Sequence, residues 1–493
     1  MKKILLWMLT VILICGSMFT SCVDNEDNPS PDIITDDVDL KDPLTIEAVE
    51  DGEIDITLEA NLPEAIYYSV NGGEKQQVKP YVPDSDDEAY TELAVKAGDK
   101  VQFFSRNTTL NDDPENNSGF YISFETECYV YGNVMSLISP DDNWKDNKEI
   151  KEPYALESLF YYTNIVTHPS RRLILPATKL TTGCYSRMFA HSSITVAPEL
   201  PATTLAERCY SHMFTYCENL KKAPALPATQ LAKACYCYMF WSCSGLTEAS
   251  ELPATTLAEE CYMYMYCLCE SLTVVPELPA TQLAKDCYCY MFGSCISLTK
   301  APELPATTLA ENCYAYMFDG CEQLAKAPEL PATTLEPGCY SGMFSESALT
   351  VPPVLPATTL AESCYEEMFA YCESLTEAPA LPATKLDKRC YAYMFTHCGN
   401  LTGTIELPAE QLPERCYYSM FSRCSKLSSI KCLATTMTGE YALGSWLNLA
   451  GSDESISNRT LMHASGTPWV NSDEYSIKPT DWFAPTGWTL VSL

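Results

Sequence analysis

Thiols are the commonest reactive groups in this chain, 25 cysteines among 493 residues, and their spacing decides what they can do. The pairs Cys235-x-Cys237, Cys267-x-Cys269 and Cys287-x-Cys289 invite a metal reading. Zinc sites use Cys-x-x-Cys with histidine partners instead, and His191, His212 and His397 are widely separated. No metal and no cofactor is therefore expected. Most other cysteines fall at two fixed places, as in Cys209 with Cys217, Cys313 with Cys321 and Cys390 with Cys398. Eight residues of roughly helical chain span about 12 Å, beyond the about 4.4–6.8 Å a disulfide allows between α-carbons. Ser192 and Ser347 take the second place in two copies, as serine can for a buried thiol but not for a bonded one. The cysteines read as core-filling free thiols, with bridges between neighbouring copies left open.

The other chemistry lies in tyrosine. The place before Met in successive copies holds Arg187, His212, Tyr238, Tyr264, Tyr290, Tyr316, Gly342, Glu367, Tyr393 and Ser419. Exposed aromatic rows stack on sugars or bind apolar protein surfaces, so Tyr238, Tyr264, Tyr290, Tyr316 and Tyr393, with Trp241, are the candidate ligand-binding residues. A second reading has the rings packing on one another and stabilising the array only. For catalysis, no nucleophile elbow, metal triad, phosphate loop or carboxylate pair stands out, and paired acids for glycoside hydrolysis would break the repeat symmetry. No catalytic residue is assigned, and the chain is expected not to be an enzyme.

What must position these groups is a block of about 26 residues that recurs ten times between Cys184 and Cys424, L-P-A-T-x-L-x-x-x-C-Y-x-x-M-F-x-x-C-x-x-L-x-x-x-P-x. A fixed period of this length means a stack of equivalent turns. On a helix, the Cys, Tyr, Met, Phe and Cys of each copy fall within one arc of about 140°. Each coil is thus expected to carry a helix or helix-like turn with that arc inward, then a short parallel strand such as Leu220–Pro224. Proline ends each strand because it lacks the amide hydrogen a ladder needs. Acids such as Glu207, Glu259, Glu311 and Glu414 would then serve the dipoles of helix starts.

The run Met368-Phe-Ala-Tyr-Cys-Glu-Ser-Leu-Thr376 resembles the BspA-like leucine-rich repeat, and the 26-residue period resembles its bacterial surface-protein variant. Cys-Tyr and Met-Phe stand here where the commoner form has Ile-Gly and Ala-Phe. The resemblance implies an α/β repeat solenoid, a leucine-rich-repeat arc with short parallel strands, and a role in cell-surface adhesion or ligand binding. The array is placed at 181–432, between an N-terminal cap with a degenerate repeat (129–180) and a C-terminal cap (433–493) rich in tryptophan. Short β-type runs between 43 and 128, with a hairpin signal at Asn71-Gly72-Gly73, point to a small all-β, immunoglobulin-like domain ahead of it.

Lys2, Lys3 and an apolar run from Ile4 to Ile14 suit an export signal rather than a bilayer span. The small residues before Cys22 resemble a lipoprotein signal, giving a leader at 1–21, lipidation at Cys22 and an acidic tether at 22–42. Acids directly after such a cysteine resemble the outer-face display signal of Bacteroidetes-type lipoproteins. The net charge of −34 becomes −36 once Lys2 and Lys3 are lost, which repels nucleic acid and anionic lipid heads. The expected protein is a non-enzymatic, lipid-anchored outer-membrane protein displayed on the cell surface, binding a host protein, another cell or a glycan. The alternative is an accessory subunit of an outer-membrane glycan or peptide uptake complex.

Overall fold

Alternating burial organises the first third of the molecule. In β2 (Gly52–Leu58), Ile54, Ile56 and Leu58 are buried while the residues between them are not, the period-two pattern of a strand with one face on a core. It joins β1 (Thr45–Ala48), β3 (Tyr67–Val70), β4 (Gln76–Gln77), β5 (Thr91–Val95), β6 (Lys100–Phe104), β7 (Asn111–Asp113) and β8 (Ser118–Asn133). Asn71 and Gly72, at φ of 53° and 70°, make the turn between β3 and β4. The strands run antiparallel in the order β4-β3-β6-β1-β8-β2-β5, with β7 also on β8. Strand β8 is 16 residues long, so its first half pairs with β2 and its second half with β1. Two parallel strands, β9 (Thr163–Val166) and β10 (Leu173–Ile174), also lie on β8. The result is one ten-stranded sheet rather than the two packed sheets of an immunoglobulin-like sandwich, and residue 128 lies inside β8.

This computed structural model describes residues 39–81, 91–113, 118–140, 143–471 and 481–493, all within one compact unit, 37–493. The leader, Cys22 and most of the acidic tether lie outside the described residues.

The α/β leucine-rich-repeat arc is overturned. Among the described residues there is no α-helix, only the 3-10 turns Asp39–Lys41 and Val134–Leu137. What the chain forms instead is visible in the amides of one coil. Ser211, Met213, Thr215 and Cys217 each donate to the carbonyl three residues back, while Tyr210, His212, Phe214 and Tyr216 donate to Cys235, Cys237, Met239 and Trp241 of the next coil. Half the amides close β-turns and half tie coil to coil, which leaves none for an i to i−4 helix. Arg208, His212 and Tyr216 accordingly sit at φ of 53°, 58° and 59°, and positive φ recurs every fourth residue within this segment of the later coils, as at Ala234, Tyr238 and Ser242. Each such residue costs roughly 1–2 kcal/mol, offset by the inter-coil bonds and by the packing they permit.

That packing uses residues 0, 1, 4, 5 and 8 of each segment. Cys209, Tyr210, Met213, Phe214 and Cys217 are all at most 1% exposed, as are their counterparts in the coils that follow up to Cys321. The core Tyr rings stack coil on coil at 5.7–6.0 Å between centroids, and the Phe rings do so beside them. The second cysteine of a coil donates its thiol to the Phe or Tyr carbonyl of the coil before, as Cys217 does to Phe189 at 3.0 Å and Cys295 to Tyr266 at 3.1 Å. All the described cysteines are free, and burial pushes the thiol of Cys217 up to about 12.

The expected short strands also change. Between Ile174 and Thr404, coil-to-coil bridging is by single residues such as Lys222 with Glu248 and Glu248 with Val274. In most coils a proline two residues on, such as Pro224 or Pro276, stops the ladder, although Ser250 stands there after Glu248. Where Ile405 and Ile430 replace that proline, four-residue strands return. These are β11 (Thr404–Leu407) and β13 (Ser429–Cys432), paired in parallel with Ile405 opposite Ile430. The C-terminal end adds β12 (Gln411–Leu412), β14 (Thr436–Met437), β15 (Arg459–His463), β16 (Val470–Asn471), β17 (Phe483–Ala484) and β18 (Trp488–Ser492). There Trp446 closes the ring columns against Tyr417 and Phe421, its indole N–H donating to the Phe483 carbonyl. The acids assigned to helix dipoles instead bond between coils: Lys233 with Glu259, Lys285 with Glu311 and Lys388 with Glu414. Alternating signs along that row favour the register in which each coil meets its neighbour.

Candidate functional site

Outside the core, the residue before Met forms a column of its own. Tyr238, Tyr264, Tyr290 and Tyr316 are half-buried, with rings nearly parallel and centroids 4.5–4.6 Å apart, and His212 extends the stack onto Tyr238 at 4.7 Å. Each ring covers a face of the next, so what a ligand meets is chiefly edges and hydroxyls. The column stops at Gly342, where a Cβ would lie 2.1 Å from the Tyr316 ring, and the Tyr316 hydroxyl donates to Glu367 at 3.0 Å. Tyr393 stands apart, edge-on to Tyr418 at 5.3 Å. Trp241 meets Tyr216 at 70° and Tyr238 at 89°. Neither tyrosine stacks parallel on the indole.

A second column, four residues on, runs Tyr162, His191, Tyr216 with centroids 4.5 Å apart. Between the two columns the repeat is broken. Ser158 and Arg187 occupy the places that hold tyrosine further along, and small Ala190 and Thr215 precede Trp241 in its own row. The space left is a cavity of about 510 Å³, lined by these residues with Tyr161, His191, His212, Tyr216, Trp241 and Tyr121 of β8. A smaller one of about 210 Å³ lies across the His191–Tyr216 stack and is lined by Tyr162, Glu218 and Asn219 among others. Sequence reasoning found Trp241 but missed Arg187, His191, His212 and Tyr216. The signal was the departure from tyrosine at Arg187 and His212.

The electrostatics of the larger cavity are set by burial. Glu157, with its side chain 5% exposed, lies 3.8 Å from the half-exposed Arg187 and also accepts from Asn111. Burial raises its pKa despite Arg187. His212 is lowered to about 4, by burial first and then by Arg187 and Arg208, and burial lowers His191 as well. Both imidazoles are therefore neutral at pH 7, and the Ser211 hydroxyl lies 2.9 Å from Nδ1 of His212. The cavity thus offers one guanidinium, neutral donors and acceptors, and aromatic carbon. In the middle of the array, burial pushes Asp319 up to about 7, opposed in part by a hydrogen bond from Ser345. Among the described residues, no group of three or more His, Cys, Asp or Glu is arranged to hold a metal.

Comparisons with protein-family models, with curated proteins and with solved structures gave no match. The functional reading stands on the site's own geometry.

Proposed function

We propose that this chain is a non-enzymatic surface protein of the BspA-like kind, anchored through lipid on Cys22, that captures a protein or glycan ligand on its coiled array. The observation that carries the reading is the cavity of about 510 Å³ opened where the repeat is broken. Its size and its mix of aromatic walls with a few polar groups are those of a ligand pocket. From Tyr238 to Tyr316 the repeat consumes its aromatic faces in stacking. Among the described residues no helix is long and apolar enough to cross a membrane, so attachment in this reading falls to the leader and Cys22.

The test is to probe a glycan and host-protein array with the full-length chain, solubilised in detergent. Capture of one ligand class by the parent chain, with loss of the lipid when Cys22 is replaced by alanine, is the expected result. Appearance of new reducing ends on incubation with a polysaccharide panel would overturn the non-enzymatic reading. Capture of nothing would overturn the binding reading.

A further inference from the structure

The cavity beside Arg187 inverts the charge of the molecule around it. The chain carries 65 acidic against 31 basic residues, yet none of the ten residues lining this cavity is an acid and one is an arginine. Charge of this sign, in a wall otherwise aromatic, selects an anion that also has carbon to stack. Resting on the ligand-binding reading above, we infer that the cavity binds a carboxylate-bearing saccharide, its acid group on Arg187 and its ring on the Trp241 face.

Each part has a physical reason. Arg187 is half-exposed, and its only ion pair among the described residues is the 3.8 Å contact to Glu157. That leaves donors of a planar fork for a second carboxylate. Glu157 is held from behind by Asn111 at 3.1 Å, so its acid fixes the guanidinium rather than filling the cavity. Trp241 has no ring stacked parallel on it from either aromatic neighbour and lines the cavity, where an indole suits the C–H face of a sugar ring. His191 and His212, neutral at pH 7, donate to or accept from hydroxyls without adding charge. A phosphate would also satisfy Arg187, but the aromatic lining favours an anion joined to a ring. The smaller cavity across the His191–Tyr216 stack, with Glu218 and Asn219, gives a neutral second sugar polar partners.

The experiment is calorimetric titration of the full-length chain in detergent at 0.15 M salt. The probes are trigalacturonate against galactotriose, 3′-sialyllactose against lactose, and inorganic phosphate alone. At least one acidic saccharide should bind ten-fold or more tighter than its neutral match, with phosphate weaker than either acid. Arg187→Gln should remove that preference and Arg187→Lys restore part of it, the lysine variant guarding against a mere loss of fold. Trp241→Ala should weaken acidic and neutral saccharides alike by ten-fold or more, while Tyr290→Ala leaves both unchanged. Equal binding of the neutral matches, a preference that survives Arg187→Gln, or no saccharide binding by the parent chain would overturn the inference. If the array experiment finds a ligand whose capture survives both Arg187→Gln and Trp241→Ala, the general binding reading stands and this cavity is not its site.

Discussion

The first coils and the middle coils are built from the same consensus and spend their aromatic residues differently. From Tyr238 to Tyr316 the rings lie face to face at 4.5–4.6 Å, so their surface is used up in holding coil to coil. At Ser158 and Arg187 the tyrosine is missing, and a cavity opens instead. Regularity in such a stack favours stability, since every inward place has an identical neighbour to pack on. Function needs the exception.

The largest effect should come from the regular half. Phe292 is fully buried, stacked on Tyr266 and Phe318 at 5.8 Å on each side, and Phe292→Ala should cost about 3–5 kcal/mol, read as a large fall in melting temperature. Trp241→Ala in the broken half removes a half-buried side chain and should lower the melting temperature far less. Similar falls for the two variants would erase the distinction between packing and binding coils.

Next in size are two titrations of opposite sign. His212 has a folded pKa of about 4 against an unfolded value near 6.5. The folded state therefore binds fewer protons, and the stability His212 contributes is present above about pH 6.5 and lost as pH falls through about 4. Asp319 is raised from 3.8 to about 7, so its contribution is present below about pH 4 and lost as pH rises through about 7. Asp319→Asn should stabilise the chain at pH 8 by a few kcal/mol and change little at pH 4. His212→Asn, which tolerates the positive φ at that place, should flatten the acid arm and leave pH 8 nearly unchanged. Denaturant midpoints at pH 4, 6 and 8 read both, and parallel shifts at all three would show that neither group is buried as described.

Much of this arrangement was legible in the chain. The 26-residue beat, the inward set of Cys, Tyr, Met, Phe and Cys, and the free thiols all followed from residue spacing. The α-helix did not, and the reason lies in the spacing itself. Cys209, Met213 and Cys217 are four apart, as are Tyr210 and Phe214, a strict period of four where a helix has 3.6. Read with that period, two residues face in and two face out, and a left-handed residue is needed at every fourth place. The arginine, serine and tyrosine found at many of these places do not announce positive φ, and the hints were scattered: glycine at 183, 320, 338 and 342, with Asp286, Asn312, His191, His212 and His397, whose types favour it. Nor could the chain show that Tyr121 of β8 would meet Arg187 across one cavity, because that contact joins segments far apart in sequence.

A smaller effect, but the one that decides between the two readings of the tyrosine column, should follow from Tyr264→Ala with Tyr290→Ala. The pair breaks three stacking contacts of about 0.5–1.5 kcal/mol each, so the melting temperature should drop while ligand capture through the Arg187 cavity persists. Loss of capture with an unchanged melting temperature would instead return the binding surface to the column.

The smallest effect concerns the thiols shared by both halves. The Cys295 Sγ donates to the Tyr266 carbonyl at 3.1 Å, whereas Ser347 in the equivalent place turns its Oγ to Phe344 of its own coil at 2.7 Å. A side-chain donor of either kind thus serves a Phe or Tyr carbonyl, but only the longer C–S bond is seen reaching back to the coil before. Cys295→Ala should therefore cost about 1–2 kcal/mol, from a lost hydrogen bond and a small void, and Cys295→Ser should recover only part of it because its bond closes within one coil. If serine matches cysteine fully, the sulfur is serving as filler and the coil-to-coil thiol bond contributes nothing measurable. If alanine matches it too, the columns of rings alone set the register of the stack.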